Sequence, residues 1–266
     1  MSKISSPLEI YKLLPKSNCK QCQLQTCLAF AGAVIKGQKR LKECPHLDKN
    51  LIEQLDGKIE KHATLEEQQA KFLEQLKKEI SGIDFSSSTE RLGASLSGEK
   101  LTIKCLNKNF IIDTNGNITS DCHINSWITV PLLNYVLHGK GLEFSGNWLP
   151  LRELRNGMQW NPLFEQRCEK PLKQLADKHM ELFDDMLLVF GGKPAEVSFT
   201  SDISLILYPL PKVPILICYC KPEEDLESKL NIFFDSTAED NVTIESLYYL
   251  GAGLVNMFEK IISRRS

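Results

Sequence analysis

The rhythm of apolar and polar positions changes twice along the chain, and each change suggests a boundary. The first stretch reads as short helices. Ser6-Pro7-Leu8-Glu9 has the form of a capping box with proline at the first helical position, opening a helix that ends near Leu14. A polar, cysteine-bearing loop from Pro15 to Thr26 follows. Thr26 then caps a helix over Cys27 to Ile35, with Gly37 as its stop. Asp48 caps a third helix that reaches toward His62. A second capping box, Thr64-Leu65-Glu66-Glu67, precedes a longer amphipathic pattern. Leu65, Phe72, Leu73, Leu76 and Ile80 fall on one face of it, and Gly82 ends it. The serine-rich run Asp84 to Glu90 reads as loop.

From about Gly93 the period shortens to two. Leu101, Ile103 and Cys105 alternate with polar residues, and Phe110 to Ile112 follows. Asn115-Gly116 supplies the favoured two-residue hairpin turn before a return strand from Ile118. Helices are expected at Pro131 to His138 and Lys170 to Phe190, the latter stopped by Gly191-Gly192. Strands are expected at Val197 to Phe199, Ser204 to Tyr208, Pro214 to Cys220 and Leu230 to Phe234, and a last amphipathic helix at Ile244 to Ile262. Strands and helices mix without strict alternation, which indicates an α+β fold. The expected organisation is a small helical domain over 1–61, a helical connector over 62–82 and a larger mixed α+β domain over 83–266.

Composition narrows the function classes. At 266 residues, 42% hydrophobic and 25% charged, the chain can bury an ordinary core. A net charge of −2 gives no reason to expect nucleic acid or an anionic membrane as partner. The charge is uneven, however: through Lys61 there are eleven Lys and Arg against six Asp and Glu, so the remainder is acidic. No run approaches the roughly 18 apolar residues of a membrane helix, so no membrane insertion is expected. The N-terminus lacks the apolar core of a secretory signal, which leads to a cytoplasmic expectation. Thiols stay reduced there, and nine cysteines, an odd number, suit metal binding better than a disulfide framework.

The informative spacing is Cys19-x2-Cys22-x4-Cys27-x16-Cys44-Pro45. Three thiolates within nine residues can reach three corners of one cubane from a single loop, and a fourth beyond a helix closes the site. Each iron takes one soft thiolate, so Cys19, Cys22, Cys27 and Cys44 match the stoichiometry of a [4Fe-4S] cluster. Structural zinc also accepts four cysteines, but usually from two Cys-x-x-Cys knuckles, and the second is missing here. Four unligated thiols are the remaining alternative.

The run Leu8-Glu9-Ile10-Tyr11-Lys12-Leu13-Leu14-Pro15-Lys16, with Asn18-Cys19, Thr26-Cys27-Leu28-Ala29-Phe30-Ala31 and Cys44-Pro45, resembles the N-terminal cluster domain of corrinoid iron–sulfur protein large subunits. Related domains occur in the B subunit of Rnf-type electron-transport complexes. The resemblance covers about the first 60 residues. It implies a low-potential [4Fe-4S] cluster for one-electron transfer in anaerobic metabolism, a redox partner protein, and by extension a corrinoid protein as acceptor. That family usually places glycine after its first and second cysteines, where this chain has Lys20 and Gln23. The rest of the chain does not continue the resemblance.

From about Gly93 the chain is similar instead to an uncharacterised domain family often fused to this cluster domain. The similarity lies in Gly146-Asn147-Trp148-Leu149-Pro150-Leu151-Arg152-Glu153-Leu154, Pro209-Leu210-Pro211-Lys212-Val213-Pro214 and Ile232-Phe233-Phe234-Asp235-Ser236. The proline-rich segment reads as a stiff, partly polyproline-like crossing between strands. Cys218 and Cys220 share a strand face, and with Cys105, Cys122 and Cys168 they read as buried structural thiols. Asp121-Cys122-His123 is a weak ligand candidate, because neighbours in a strand point to opposite faces. Glu223-Glu224-Asp225 reads as a solvated turn. Trp127, Trp148 and Trp160 read as core or rim packing residues.

No phosphate-binding glycine loop, dinucleotide fingerprint or nucleophile elbow is present, so no catalytic residues are expected from motifs. The leading expectation is a redox module, with Lys16, Lys20, Lys36, Lys39, Arg40 and Lys42 orienting an acidic partner. Two others stand beside it. One is an enzyme whose C-terminal domain binds a small molecule near the cluster; the other is a binding module with a structural metal.

Overall fold

The computed structural model describes residues 4, 6–35, 37, 39–55, 58–59, 65–195, 201–224 and 226–264. They divide into two compact units, Met1–Glu74 and Gln75–Ser266, and the architecture is α+β.

The first unit is built from locally specified helices. Helix α1 (Pro7–Leu13) opens on the expected capping box: the Leu8 N–H donates to Ser6 Oγ at 3.3 Å, and the Ser6 N–H donates to Glu9 at 3.2 Å. Helix α2 (Cys27–Ile35) starts where Thr26 Oγ1 accepts the Ala29 N–H at 3.0 Å. Beyond it Gly37, at φ +70°, donates to the Val34 carbonyl. A 3₁₀ turn at Leu41–Glu43 leads to Cys44. Helix α3 (Lys49–Leu55) begins at Asp48, whose carboxylate accepts the Asn50 N–H at 2.7 Å.

Helix α3 is shorter than its pattern suggests, because Ile59 is drawn instead into a parallel bridge with Ile4. His62 and Thr64 lie outside the described residues. The core of this unit includes Ile10, Leu14, Phe30, Ala31, Val34, Ile35 and Leu41, together with Cys27 and Cys44.

Helix α4 (Leu65–Ile80) follows. Leu76 and Ile80 are buried, whereas Phe72 stays 39% exposed. The serine run expected to be loop is a 3₁₀ turn, Ser86–Ser88, leading into α5 (Thr89–Leu92). The reason is local: Asp84 accepts from the Ser86 N–H at 2.9 Å and from its hydroxyl, and its carbonyl accepts the Ser87 hydroxyl.

Strands β1 (Ser95–Ser97), β2 (Lys100–Cys105), β3 (Lys108–Ile112) and β4 (Ile118–Ser120) form an antiparallel meander in that order. The tight two-residue turn is Leu106-Asn107, both left-handed at φ +46° and +62°. Asn115-Gly116 sits instead in a five-residue loop, since Ile112 pairs with Ile118. That loop closes around Asp113, whose Oδ1 accepts the N–H groups of Asn115 and Asn117, both at 2.9 Å.

Helix α6 (Ser126–His138) starts five residues earlier than expected. Asn125 caps it, and Pro131 lies inside it. The helix expected over Lys170–Phe190 is interrupted. Helix α7 (Gly157–Phe164) passes through a wide π-type turn at Glu165–Glu169 into α8 (Lys170–Lys178). Pro171 has no N–H for the preceding turn, and the widened turn lies directly before it. The chain leaves helical angles at His179 and resumes as α9 (Leu182–Leu188). The last helices are α10 (Ala238–Asn241) and α11 (Ile244–Ser263), the latter capped by Thr243.

The second sheet is antiparallel, in the order β5-β9-β8-β7-β6, from β5 (Trp148–Pro150), β6 (Lys193–Pro194), β7 (Ile203–Leu210), β8 (Val213–Cys220) and β9 (Lys229–Asp235). The strand expected at Val197–Phe199 lies outside the described residues. The proline-rich segment is a tight hairpin, the stiff loop between neighbouring strands that its prolines suggest. Leu210 pairs with Val213 around Pro211-Lys212, and a bulge between Leu207 and Leu210 accommodates Pro209. Strand β8 is central and nearly continuously buried, matching its unbroken apolar run. Helices cover the sheet through ring contacts, Phe164 on Phe234 at 5.6 Å and Phe183 on Tyr219 at 5.3 Å. Helix α11 packs against α6, α7 and α8.

Candidate metal centre

The segment joining α1 to α2 is a loop whose backbone repeatedly takes the left-handed conformation. Lys16, Asn18, Lys20 and Gln23 have φ of +57°, +48°, +62° and +66°. Successive residues of opposite hand turn their amides toward a common concavity, the arrangement that holds anions and iron–sulfur groups. The concavity is real: Cys19, Cys22, Cys27 and Cys44 all line one hollow, with Leu14, Leu24 and Phe30 among its apolar walls.

Each cysteine reaches the hollow by a different route. Cys19 is exposed and Cys22 half-buried on the loop. Cys27 opens α2, and its N–H donates to Asn18 Oδ1 at 2.8 Å. Cys44 follows the 3₁₀ turn, its N–H on the Leu41 carbonyl at 3.0 Å. Cys27 and Cys44 are each 7% exposed and belong to the unit's core. Four soft donors lining an apolar-walled hollow fit an iron–sulfur group. Among the described residues, no three His, Cys, Asp or Glu side chains are grouped as a single bound ion would require.

Asn18 is the site residue to which the sequence pattern gave no role. Its signal was residue type, since asparagine tolerates left-handed angles and also caps helices. Lys20 and Gln23 keep the left-handed backbone without being glycine, which strains the loop. Gln23→Gly is expected to raise the stability of the unligated protein by up to about 1 kcal/mol, read as a shift in thermal unfolding; no shift would show that the loop angle costs nothing.

The basic residues expected to face a partner are sorted by the structure. Lys39 pairs with Glu43 at 2.7 Å, and Lys16 lies over the Tyr11 ring at 5.5 Å. Arg40 and Lys42 are exposed. Lys20 lines the hollow. Lys36 lies outside the described residues.

The remaining cysteines stand elsewhere. Burial pushes the Cys105 and Cys168 thiols far above their usual range, and burial likewise raises Cys218, which contacts Ser204 Oγ at 3.6 Å. Asp121-Cys122-His123 forms a bend after β4, not a strand. Glu223 and Glu224 are exposed, and Glu223 closes a turn with Leu226; Asp225 lies outside the described residues. The three tryptophans are half-buried: Trp127 packs on Tyr248 and Tyr249, Trp160 on Tyr248, and Trp148 on Phe144.

The motifs singled out beyond Gly93 converge on one loop, residues 139–147. Asp235, fully buried, accepts from Ser145 N–H and Oγ, Gly146 N–H, and Thr237 N–H and Oγ1. Asn241, also fully buried, accepts from the Gly141 and Leu142 N–H groups and donates to the carbonyls of Leu142 and Lys212. Lys212 donates to the Gly141 carbonyl at 3.1 Å and pairs with Glu143 at 2.8 Å. Gly141, at φ +76°, lies so close to the Arg91 backbone that a Cβ there would stand 2.3 Å from its carbonyl oxygen. These residues hold a loop in place.

Residues 14–46 match the family described as "Putative Fe-S cluster". The acetyl-CoA decarbonylase/synthase complex subunit gamma 2 of Methanosarcina mazei is 49% identical over 47 residues, 18% of this chain and 10% of the relative. The corresponding gamma subunit of Methanocaldococcus jannaschii is 41% identical over 59 residues, 22% of this chain and 12% of the relative. The corrinoid/iron-sulfur protein large subunit of Moorella thermoacetica is 49% identical over 50 residues, 19% and 11% of the two chains. The chain thus spans about a tenth of the length of these curated relatives. No solved structure matches it. Over the cysteine loop the chain is thus similar to iron–sulfur proteins. The larger match, over residues 84–257, shows that the chain belongs to the family described as "Domain of unknown function (DUF3786)".

Proposed function

We propose that Cys19, Cys22, Cys27 and Cys44 hold one [4Fe-4S] cluster and that the protein is a cytoplasmic one-electron carrier. When bound, the cluster supplies a single electron to a partner without bond making at the protein. The cluster-bearing domain is 1–61, joined through 62–82 to the domain it serves, 83–266.

The observation that carries this reading is the shared hollow, lined by all four cysteines although Cys44 lies well beyond the other three in the chain. Cys27 and Cys44 anchor the centre to the core, while exposed Cys19 gives the shortest route outward to a partner. The partner class is a redox protein, and the names of the relatives favour a corrinoid protein among them.

Iron, sulfide and zinc content of anaerobically purified protein, with an EPR spectrum after dithionite, tests the reading. About four irons and four sulfides per chain with an S = 1/2 signal is the expected result. One zinc and no sulfide would sink it.

A further inference from the structure

Lys20 stands in the wall of the hollow with all four cysteines, directly after Cys19 and two residues before Cys22. Apart from the thiols, it is the only ionisable residue among the described residues that line the hollow, and no carboxylate is among them. Its φ of +62° is a conformation that disfavours any side chain, so glycine would fit this position with less strain. Lys16 lies over the Tyr11 ring and Lys39 pairs with Glu43.

We propose that Lys20 sets the reduction potential of the centre by favouring its reduced form. This rests on the reading that the four cysteines hold a [4Fe-4S] cluster. One-electron reduction, with dithionite as the electron source, makes the group one unit more negative and forms or breaks no bond to the protein. A cation within a side chain's length stabilises that product over the starting state. Lys20 is exposed, so dissolved salt weakens the attraction.

The test is a spectroscopic redox titration of the full chain, reconstituted anaerobically with iron and sulfide, as wild type and as Lys20→Gln, Lys20→Gly and Lys20→Arg. Poised at the wild-type midpoint in low salt, Lys20→Gln is expected to lower the ratio of reduced to oxidised centre about three- to tenfold. The deficit is expected to shrink as salt rises toward about 1 M. Lys20→Gly should show the same loss, and Lys20→Arg should retain the wild-type ratio. Unchanged ratios in Lys20→Gln and Lys20→Gly, at full iron and sulfide content, overturn the proposal and leave the cluster reading intact. A shift in Lys20→Gly alone traces the effect to backbone relief and overturns it too. Wild-type protein that takes up no sulfide defeats the cluster reading itself, and the proposal with it.

Discussion

Cys27→Ser protein, reconstituted anaerobically with iron and sulfide, is expected to lose nearly all of its bound iron. Removing a mere outer-shell partner costs about 10–100-fold in metal affinity, so losing a ligand should cost at least about 100-fold. Cys27 is the informative choice because it is both a wall of the hollow and a buried member of the small core. Serine is nearly isosteric, so the helix that Thr26 and Asn18 cap should still form. Cys122→Ser is the control, since Cys122 lies outside the hollow; it should bind iron as the wild type does. Equal iron in both variants would remove Cys27 from the ligand set. The first unit should also lose stability without its metal, because a core this small gains much from a bound group.

The second large effect lies in the larger unit. Asp235→Ala is expected to destabilise it by about 3–5 kcal/mol, measured by denaturant unfolding. The substitution removes the buried carboxylate that accepts the N–H groups of Ser145, Gly146 and Thr237. A loss below about 1 kcal/mol would show that Asn241 and Lys212 hold the loop unaided.

The same carboxylate gives a pH signature. Burial is the largest single influence on Asp235 and by itself would raise its pKa. The hydrogen bonds from Thr237 and Ser145 together outweigh it and hold the group below its usual range. The folded value is therefore the lower one. The stabilisation is complete above the unfolded value of about 3.9 and is lost as pH falls through the folded value. The stability gap between wild type and Asp235→Asn should accordingly narrow below about pH 4.

Locally specified features were legible from the chain alone. The caps at Ser6, Thr26 and Asp48 act within a few residues, so the helices they start could be found by spacing. The cysteine spacing likewise pointed to one site, because three of the four residues lie within nine positions of the chain. Where a local signal competed with another, the sequence reading erred. Asn115-Gly116 looked like the tight turn, but the register of β3 on β4 gave that role to Leu106-Asn107. The long helical pattern from Lys170 concealed a break at His179.

Other features exist only after folding. That Cys44 lines the same hollow as Cys19 depends on α2 packing on α1 and on the 3₁₀ turn that returns the chain. The motifs around Gly146, Lys212 and Asp235 have no evident common purpose in one dimension. In three they meet on one loop, since buried polar groups separated by up to about a hundred residues must satisfy one another. By itself the sequence determined which short elements form and which cysteines are close in the chain, because those depend on neighbours. Only the tertiary structure decided which distant groups share an enclosure, which cation lines the hollow and which buried carboxylate must stay charged, because those depend on packing between residues far apart.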